Sequence, residues 1–464
     1  MLHENSLPRI ESASGLTGDD ALPVVPATAE MSRTNRWFQS LLGAIPGRTR
    51  LMPLVYSFTD QALTVGGGFL VNVAVARAQT KEEYGLFALS YSVYALLLAL
   101  YQAAILEPFT IYGSGRYRER FSEYLRLMVR SNAVMGLLLT AFLLLICFLL
   151  SRVAPQLVSR ALWGLALTAA VLLSSHLLRR AFYLQRQPVL ATKTSLVFFI
   201  TVVCGLWLGA KSGWLDSRTV FLILAVGWIT AGAVFGRKLS FGEPQRSFLQ
   251  IEPHYWREHW NYSKWVLASA IIVQLTTQAY YWLLAGFLSA KEAGELRAIH
   301  LLIAPMDQVF VALSFVALPA LSACYAAKDT GRFLFLWKRY VLATLGVTGA
   351  FAFAVRLIGK PVMHAIYAGK YDGLAPFLFV LALLPVLMGV GATMNNAVIA
   401  TEKPKLTFFA YVCGGVTTLL GGIPLVMHFG LQGAVYGMLL SGAMYTGALA
   451  LVFALRVRIR TVPA

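Results

Sequence analysis

Hydrophobic residues form continuous runs that recur along the chain from residue 51 and are separated by short polar segments. Runs of about 20 residues are long enough to cross ~30 Å of hydrocarbon as helices, whereas barrel strands would alternate over about 10 positions. The pattern therefore predicts an all-α polytopic membrane protein. About twelve spans are expected, at residues 53–75, 84–110, 127–150, 158–178, 189–210, 217–236, 265–288, 299–325, 339–356, 373–397, 406–427 and 430–454.

Two pairs of similar short segments indicate that the second half of the chain repeats the first. TKEEYGLFAL follows the first predicted span and SAKEAGELRA follows the seventh, so that Glu83 aligns with Glu292 and Gly85 with Gly294 at an offset of 209 residues. QRQP precedes the fifth span and TEKP the eleventh. Because six spans is an even number, both repeats have the same orientation and are related by an axis near the membrane normal.

These features divide the chain into two bundles with polar flanks. Residues 1–30 hold five acids and one base, which is typical of a disordered tail, whereas residues 31–50 hold four arginines and no acid. The second stretch is an interfacial amphipathic helix or a plain juxtamembrane linker. The predicted organisation is a cytoplasmic tail at 1–50, six-helix bundles at 51–236 and 265–456, a cytoplasmic linker at 237–264 and a tail at 457–464.

Composition and charge support a membrane protein. The chain is 58% hydrophobic and 13% charged, with a mean hydropathy of +0.66, while soluble domains carry about 25% charged residues. With the N-terminus inside, 28 of the 39 Lys and Arg residues fall in cytoplasmic segments and 11 on the other side. This positive-inside bias predicts that both termini are cytoplasmic. The net charge of +18 thus reports topology and contact with anionic lipid, and no nucleic-acid partner is expected.

Three of the 21 acidic residues, Asp60, Glu107 and Asp307, lie within predicted spans. A charged side chain at the bilayer centre costs about 2.5–3.5 kcal/mol on insertion scales, so such residues normally face a cavity. We expect Asp60 to be paired, protonated or hydrated, and Asp307 to serve as a proton or cation site. Glu107, beside Pro108, is either a gate or a structural carboxylate. All three are candidate coupling or gating residues.

The first and seventh spans each gather polar residues on one helical face, as two repeat-related helices would when lining a central cavity. A plainer interpretation is that the glycines at 66–68 allow tight packing and that Gln and Asn hydrogen-bond between helices. Arginines at span ends either contact substrate or extend to the interface. The candidate cavity and substrate residues are Asp60, Gln61, Asn72, Arg77, Arg130, Gln274, Gln278 and Tyr281.

Motifs of the common membrane enzymes and pumps are missing from the sequence. No P-loop, HExxH or GxSxG string is present, and the four cysteines show none of the close Cys/His spacing of metal sites. The longest loop between spans, about 28 residues at 237–264, is too short for a catalytic domain. We expect a transporter without cofactor or metal.

Residues 58–113 resemble the start of polysaccharide-biosynthesis flippases, the Wzx-type members of the multidrug/oligosaccharidyl-lipid/polysaccharide (MOP) exporter superfamily. The matching features are Gln61 and Asn72 in the first span, Arg77 at its end, the EEYG turn and the ILEP string that contains Glu107. The resemblance implies two six-helix bundles around a V-shaped cavity with alternating access. It also implies transfer of a polyprenyl-diphosphate-linked oligosaccharide from the inner to the outer leaflet of the bacterial cytoplasmic membrane.

Such a cargo needs polar groups for its sugars and cations for its diphosphate. Asp60, Gln61, Asn72, Gln274 and Gln278 are candidates for the first role, and Arg77 or Arg130 for the second, although the predicted spans hold few basic residues. Membrane lipids and other polysaccharide-assembly proteins are the expected partners. Three alternatives remain open at this stage: a multidrug and toxin extrusion (MATE) exporter of organic cations, a membrane enzyme of glycan assembly, and a non-transporting scaffold that partners a glycosyltransferase complex.

Overall fold

A computed structural model of the chain describes residues 48–153, 158–239, 253–401 and 404–458. The predicted amphipathic helix at 31–50 lies almost entirely outside these residues, as do most of the N-terminal tail and of the C-terminal tail. The described segments are helical, and nine helical stretches among them are long and apolar enough to cross a membrane. The expectation of an all-α polytopic membrane protein is confirmed.

The first half, called the N-half, consists of seven helices. Its second and third helices are continuous through a π-helical turn at Gln102–Leu106. The bounds are α1 Arg48–Ala78, α2 Lys81–Tyr101, α3 Glu107–Ser114, α4 Phe121–Val153, α5 Val158–Leu184, α6 Pro188–Ser212 and α7 Thr219–Phe235.

The second half, called the C-half, has more breaks. Pro305 begins a new helix within the predicted span 299–325, and Gly430 interrupts the last long helix with a φ of 56° and a ψ of −131°. The bounds are α8 Pro253–Phe287, α9 Ala290–Ile303, α10 Pro305–Ala326, α11 Thr330–Tyr367, α12 Ala375–Leu381, α13 Leu384–Ala400, α14 Pro404–Thr417 and α15 Ile423–Val452.

The internal repeat is visible in how equivalent helices begin. Thr80 caps α2 by accepting a hydrogen bond from the Glu83 backbone N–H, and the Ser289 hydroxyl before α9 donates to the Glu292 carboxylate. The prolines of the QRQP and TEKP strings both stand at the first position of a helix, α6 and α14, where a missing N–H costs nothing.

Helix α8 connects the two halves. It begins at Pro253, within the segment predicted as a linker, and is 35 residues long. Near its start the Tyr124 and His259 side chains are hydrogen-bonded at 2.6 Å, and Ser263 donates to the Ala104 carbonyl at 3.1 Å. Further along, the Tyr280 hydroxyl meets Ser441 of α15 at 3.0 Å. The start of α8 therefore packs on the N-half, and its later part contacts both halves, since Trp282 also donates to Ser92 of α2 at 2.7 Å.

Candidate transport site

Asp60 is held inside the N-half by a complete set of partners. Its carboxylate is 1% exposed and accepts two hydrogen bonds from Arg179, at 3.1 and 2.6 Å. The Tyr183 hydroxyl donates at 2.7 Å, and Ser195 donates to the other carboxylate oxygen. A buried carboxylate needs such bidentate pairing and extra donors to offset its desolvation. Asp60 thus joins α1 to α5 and α6, and of the alternatives given above it is paired.

The predicted polar face of α1 is divided between contacts within the N-half and contacts with the C-half. Thr64 donates to Ser195 at 3.2 Å, and a Cβ added at Gly67 would lie 2.9 Å from the Phe198 ring, so these positions pack within the N-half as Asp60 does. Gln61 instead approaches Gln308 of α10, with its amide nitrogen 3.5 Å from the Gln308 oxygen.

Asn72 also faces the C-half, where it meets the cation nearest the centre of the interface. Asn72 is 1% exposed, and its side-chain oxygen accepts a hydrogen bond from the Arg297 Nε at 2.9 Å. The Arg297 guanidinium lies 4.1 Å from the centre of the Tyr91 ring. Its partners are an amide, an aromatic face and the Tyr281 hydroxyl, and among the described residues no carboxylate lies within ion-pair distance of it. Arg297 therefore carries a positive charge that the protein leaves uncompensated.

Sequence reasoning missed Arg297 because the predicted span began at residue 299. Helix α9 begins at Ala290, which places Arg297 about 10 Å into the helix at 1.5 Å per residue. Arg179 and Arg180 were likewise assigned to a loop after residue 178, whereas α5 continues to Leu184. The corrected helix ends add three basic residues, Arg179, Arg180 and Arg297, to the few that the predicted spans contained.

The polar face of α8 contains a hydrogen-bonded pair and a link to α9. Gln278 donates to the Gln274 side-chain oxygen at 3.4 Å, while its own oxygen is buried and has no hydrogen-bond partner. One turn on, the Tyr281 hydroxyl is 2.6 Å from the Nδ1 atom of His300. Tyr281 is buried.

A second group of polar residues lies around Glu107, just beyond the C-terminal end of α2. The Tyr262 hydroxyl donates to Glu107 at 3.4 Å, and the charge of Arg180 acts on the same carboxylate. Glu107 and Arg180 are exposed, and no salt bridge joins them. His176, one turn before Arg180, meets the Tyr94 hydroxyl at 3.3 Å. Arg130 stands apart from this group as a half-buried residue of α4.

Asp307 lines a small pocket in the C-half. The pocket has a volume of about 40 Å³ and lies between α9, α10 and α13, with His300 on its other polar side. Asp307 has no hydrogen-bond or ion-pair partner among the described side chains.

Arg77 does not lie beside these residues. It fastens α1 to the end of α11: its Nε donates to the Ile366 carbonyl at 2.6 Å, and its guanidinium also donates to the Ala365 carbonyl. These are carbonyls of the last helical turn, which have no partner within the helix and carry the negative end of its dipole.

Two more cations join the halves at the same end. Lys81 forms a salt bridge with Glu295 at 2.8 Å, and Lys370 donates to the Ala76 carbonyl at 3.1 Å. Burial, with the nearby charge of Lys81, lowers the pKa of Lys370. We call this set, Arg77, Lys81, Glu295 and Lys370 with their carbonyl partners, the clasp. It closes the interface at the end where α1 stops and α2 starts.

The described residues contain no group of three or more metal-ligating side chains. Away from the clasp, the polar contacts at the interface are amides, hydroxyls and arginines, which suit an anionic or sugar-like ligand better than a metal ion.

Comparisons with known proteins assign the chain to a sequence family and to a known fold. Residues 54–324 match the family described as Polysaccharide biosynthesis protein. No curated protein matches the sequence. An inward-facing multidrug resistance MATE family transporter of the MOP superfamily has a TM-score of 0.71 at 13% identity, covering 89% of this chain and 100% of that one.

Two other solved structures show the same fold. The lipid II flippase MurJ, in an inward closed conformation, gives a TM-score of 0.67 at 14% identity, with 89% of each chain covered. A MOP superfamily transporter from Pyrococcus furiosus gives 0.58 at 10% identity, covering 88% of this chain and 95% of that one. At these identities the likeness concerns the fold, and it confirms the expected MATE-like architecture.

Proposed function

Because this chain belongs to the polysaccharide biosynthesis protein family, we propose that it is a flippase that carries a polyprenyl-diphosphate-linked oligosaccharide across the membrane by alternating access. The lipid II flippase that shares its fold supports this assignment. The proposed membrane is the bacterial cytoplasmic membrane, with both termini inside and the clasp on the outer side. Other polysaccharide-assembly proteins are proposed partners.

The observation that carries the proposal is the uncompensated charge of Arg297. An isolated cation inside a membrane protein is costly, and its partners here, Asn72 and Tyr91, are neutral. A diphosphate bound at this point would supply the missing negative charge, and a guanidinium matches phosphate oxygens in bidentate geometry. Arg297 replaces Arg77 and Arg130 as the first candidate for the diphosphate.

The polar groups farther from the clasp are suited to bind the glycan and to receive the entering headgroup. Gln61 and Gln308 offer amide donors and acceptors from both halves. Arg180 is an exposed cation that a headgroup meets before reaching Arg297. Gln274 and Gln278 remain proposed sugar contacts, since the buried Gln278 oxygen lacks a protein donor.

Export of an organic cation is the second candidate, and Asp307 favours it. A free carboxylate in a pocket is what a cationic drug requires, and the MATE transporter shares this fold. The carboxylate at Asp60 is not available for that role, because Arg179 already pairs with it. The two candidates thus differ in which charge binds cargo, Arg297 or Asp307.

The test is an in vivo accumulation assay on lipid extracts. Deletion of the gene should cause a lipid-linked oligosaccharide to accumulate where an externally added, membrane-impermeant glycosidase cannot reach it, and the wild-type gene should reverse this. Arg297→Gln should fail to complement. Arg297→Lys, which keeps the positive charge but lacks the bidentate guanidinium, should complement partly. Lys211→Gln, at an exposed cation over Trp207, is the matched control and should complement fully.

Normal lipid pools in a strain without a second homologue would exclude the flippase. Full complementation by Arg297→Gln would exclude the diphosphate site while leaving the flippase assignment in place. Cation export would be established instead if the deletion strain lost drug resistance, the wild-type gene restored it, and Asp307→Asn failed to restore it.

A further inference from the structure

The pocket beside Asp307 has the properties of a site for a proton. Its lining combines two titratable side chains, His300 and Asp307, with five residues that offer no ionisable group. A volume of about 40 Å³ holds roughly three water molecules, since one needs about 10–15 Å³ by this measure. The Asp307 carboxylate is exposed and has no donor among the described side chains, so it is open to water and to a proton.

The histidine is oriented so that one nitrogen serves the pocket. Tyr281 hydrogen-bonds to Nδ1 of His300 at 2.6 Å, and its ring stacks on the imidazole. The Tyr281 hydroxyl also lies within the field of the Arg297 guanidinium, which attracts its lone pairs and turns its proton toward His300. A neutral imidazole that accepts at Nδ1 carries its own proton on Nε2. Nε2 is then the nitrogen left for the waters between His300 and Asp307.

These residues form one chain from the proposed cargo site to the pocket. Positions 297, 300 and 307 follow one face of α9 and α10 at helical spacing, and Tyr281 of α8 bridges the first two. Of the neighbouring charged groups, Glu295 of α9 pairs with Lys81 of α2. The other neighbours named here are uncharged: α13 contributes Leu384, Pro385 and Met388, α2 presents the Tyr91 ring to Arg297, and α1 presents Gln61.

We infer that His300 and Asp307 form a proton-binding site whose occupancy is linked to an anion bound at Arg297. While Arg297 is uncompensated, its charge opposes a second positive charge on His300 and favours an ionised Asp307. A bound diphosphate cancels that charge, and the pocket then takes up a proton from water, on an Asp307 oxygen or on His300. The proton leaves when the anion leaves. This inference rests on the proposed function for the identity of the anion.

The experiment measures proton uptake directly. Full-length protein in detergent is titrated calorimetrically with inorganic diphosphate in two buffers of different ionisation enthalpy, so that the difference in heat gives the protons taken up per anion bound. We expect net uptake by the wild-type chain near neutral pH. The double variant Asp307→Asn with His300→Gln should bind diphosphate but take up few or no protons.

Matched controls are an aspartate and a histidine outside the pocket. Asp372→Asn and His428→Gln should leave proton uptake at the wild-type value, because Asp372 pairs with His364 beyond the pocket and His428 is exposed. Anion binding without proton uptake in the wild type, or uptake that survives in the double variant, would overturn the inference.

A second readout does not depend on the anion. Infrared difference spectra between high and low pH should show the carbonyl band of a protonated carboxyl group that is missing from Asp307→Asn and present in Asp372→Asn. If diphosphate fails to bind the wild-type protein but this band is found, the cargo assignment fails and the proton site stands. If the band is the same in Asp307→Asn and the wild type, the proton site fails whatever the cargo is.

Discussion

Gly85 of α2 and Gly294 of α9, 209 residues apart in the sequence, meet backbone to backbone at the interface between the halves. A Cβ added to Gly294 would lie 2.8 Å from the Gly85 nitrogen, and one added to Gly85 would lie 1.7 Å from the Ala290 carbonyl oxygen. Small residues allow helices to approach this closely in membranes. The repeat noticed in the sequence is thus also a contact in the fold, next to the clasp.

Gly85→Ala should destabilise the clasped state, because its methyl group must displace the α9 backbone. Overpacking of this kind costs about 1–3 kcal/mol, and we expect a lower midpoint of thermal unfolding in detergent. Gly286→Ala is the control, since a Cβ there meets no atom within 4 Å and alanine favours a helix. Equal unfolding midpoints for the two variants would contradict the close approach.

The Lys81–Glu295 pair can be tested by charge exchange. Either reversal, Lys81→Glu or Glu295→Lys, should separate the halves by placing like charges 2.8 Å apart, and the double exchange should restore the contact. An Ala298→Cys reporter, buried in α9, should react faster with a membrane-impermeant thiol reagent in each single variant than in the double one. Additive effects without rescue would show that the two charges do not interact.

A substitution at Arg77 tests whether this residue has a structural role or binds substrate. Arg77→Gln should speed labelling of the same reporter, because glutamine cannot donate to the Ala365 and Ile366 carbonyls together. Diphosphate affinity should stay within about twofold of wild type. A tenfold loss of affinity, about 1.4 kcal/mol, with unchanged labelling would instead return Arg77 to the cargo site.

Asp60 should matter mainly for folding. Asp60→Asn leaves Arg179 buried without its counter-charge, which costs about 3–5 kcal/mol in comparable pairs, and adding Arg179→Gln should recover part of the loss. Glu123→Gln, in an exposed pair with Arg120, should cost under about 1 kcal/mol. Thermal unfolding checks both values. Translocation per folded molecule should persist in Asp60→Asn, and its loss at unchanged stability would favour a coupling role.

Hydropathy and charge were enough to predict the spans, since a run of about 20 apolar residues has few other stable structures. The twelve predicted spans all fall on helices. The breaks within them were not predicted, although Pro305 and Gly430 are residues at which a helix is readily interrupted.

The site was harder to predict because hydropathy ends a span wherever a charge occurs. Arg179 and Arg297 were therefore placed in loops, and both lie inside helices. One signal was present: a buried Asp60 requires a cation, and Arg179 and Arg180 directly follow a predicted span. Which face of α1 meets which neighbour depends on tertiary packing, so the polar arc could not be divided between two surfaces from the sequence alone.

The clasp relies largely on main-chain acceptors, and this has a consequence for how it comes apart. Arg77 and Lys370 bind carbonyls at the ends of helices, and no substitution removes a carbonyl. When such a contact separates, water hydrates the cation and the carbonyl alike, and neither is left as a bare charge in hydrocarbon. Two of the three cationic contacts can therefore break and form again repeatedly, and their acceptors are carbonyls that do not titrate.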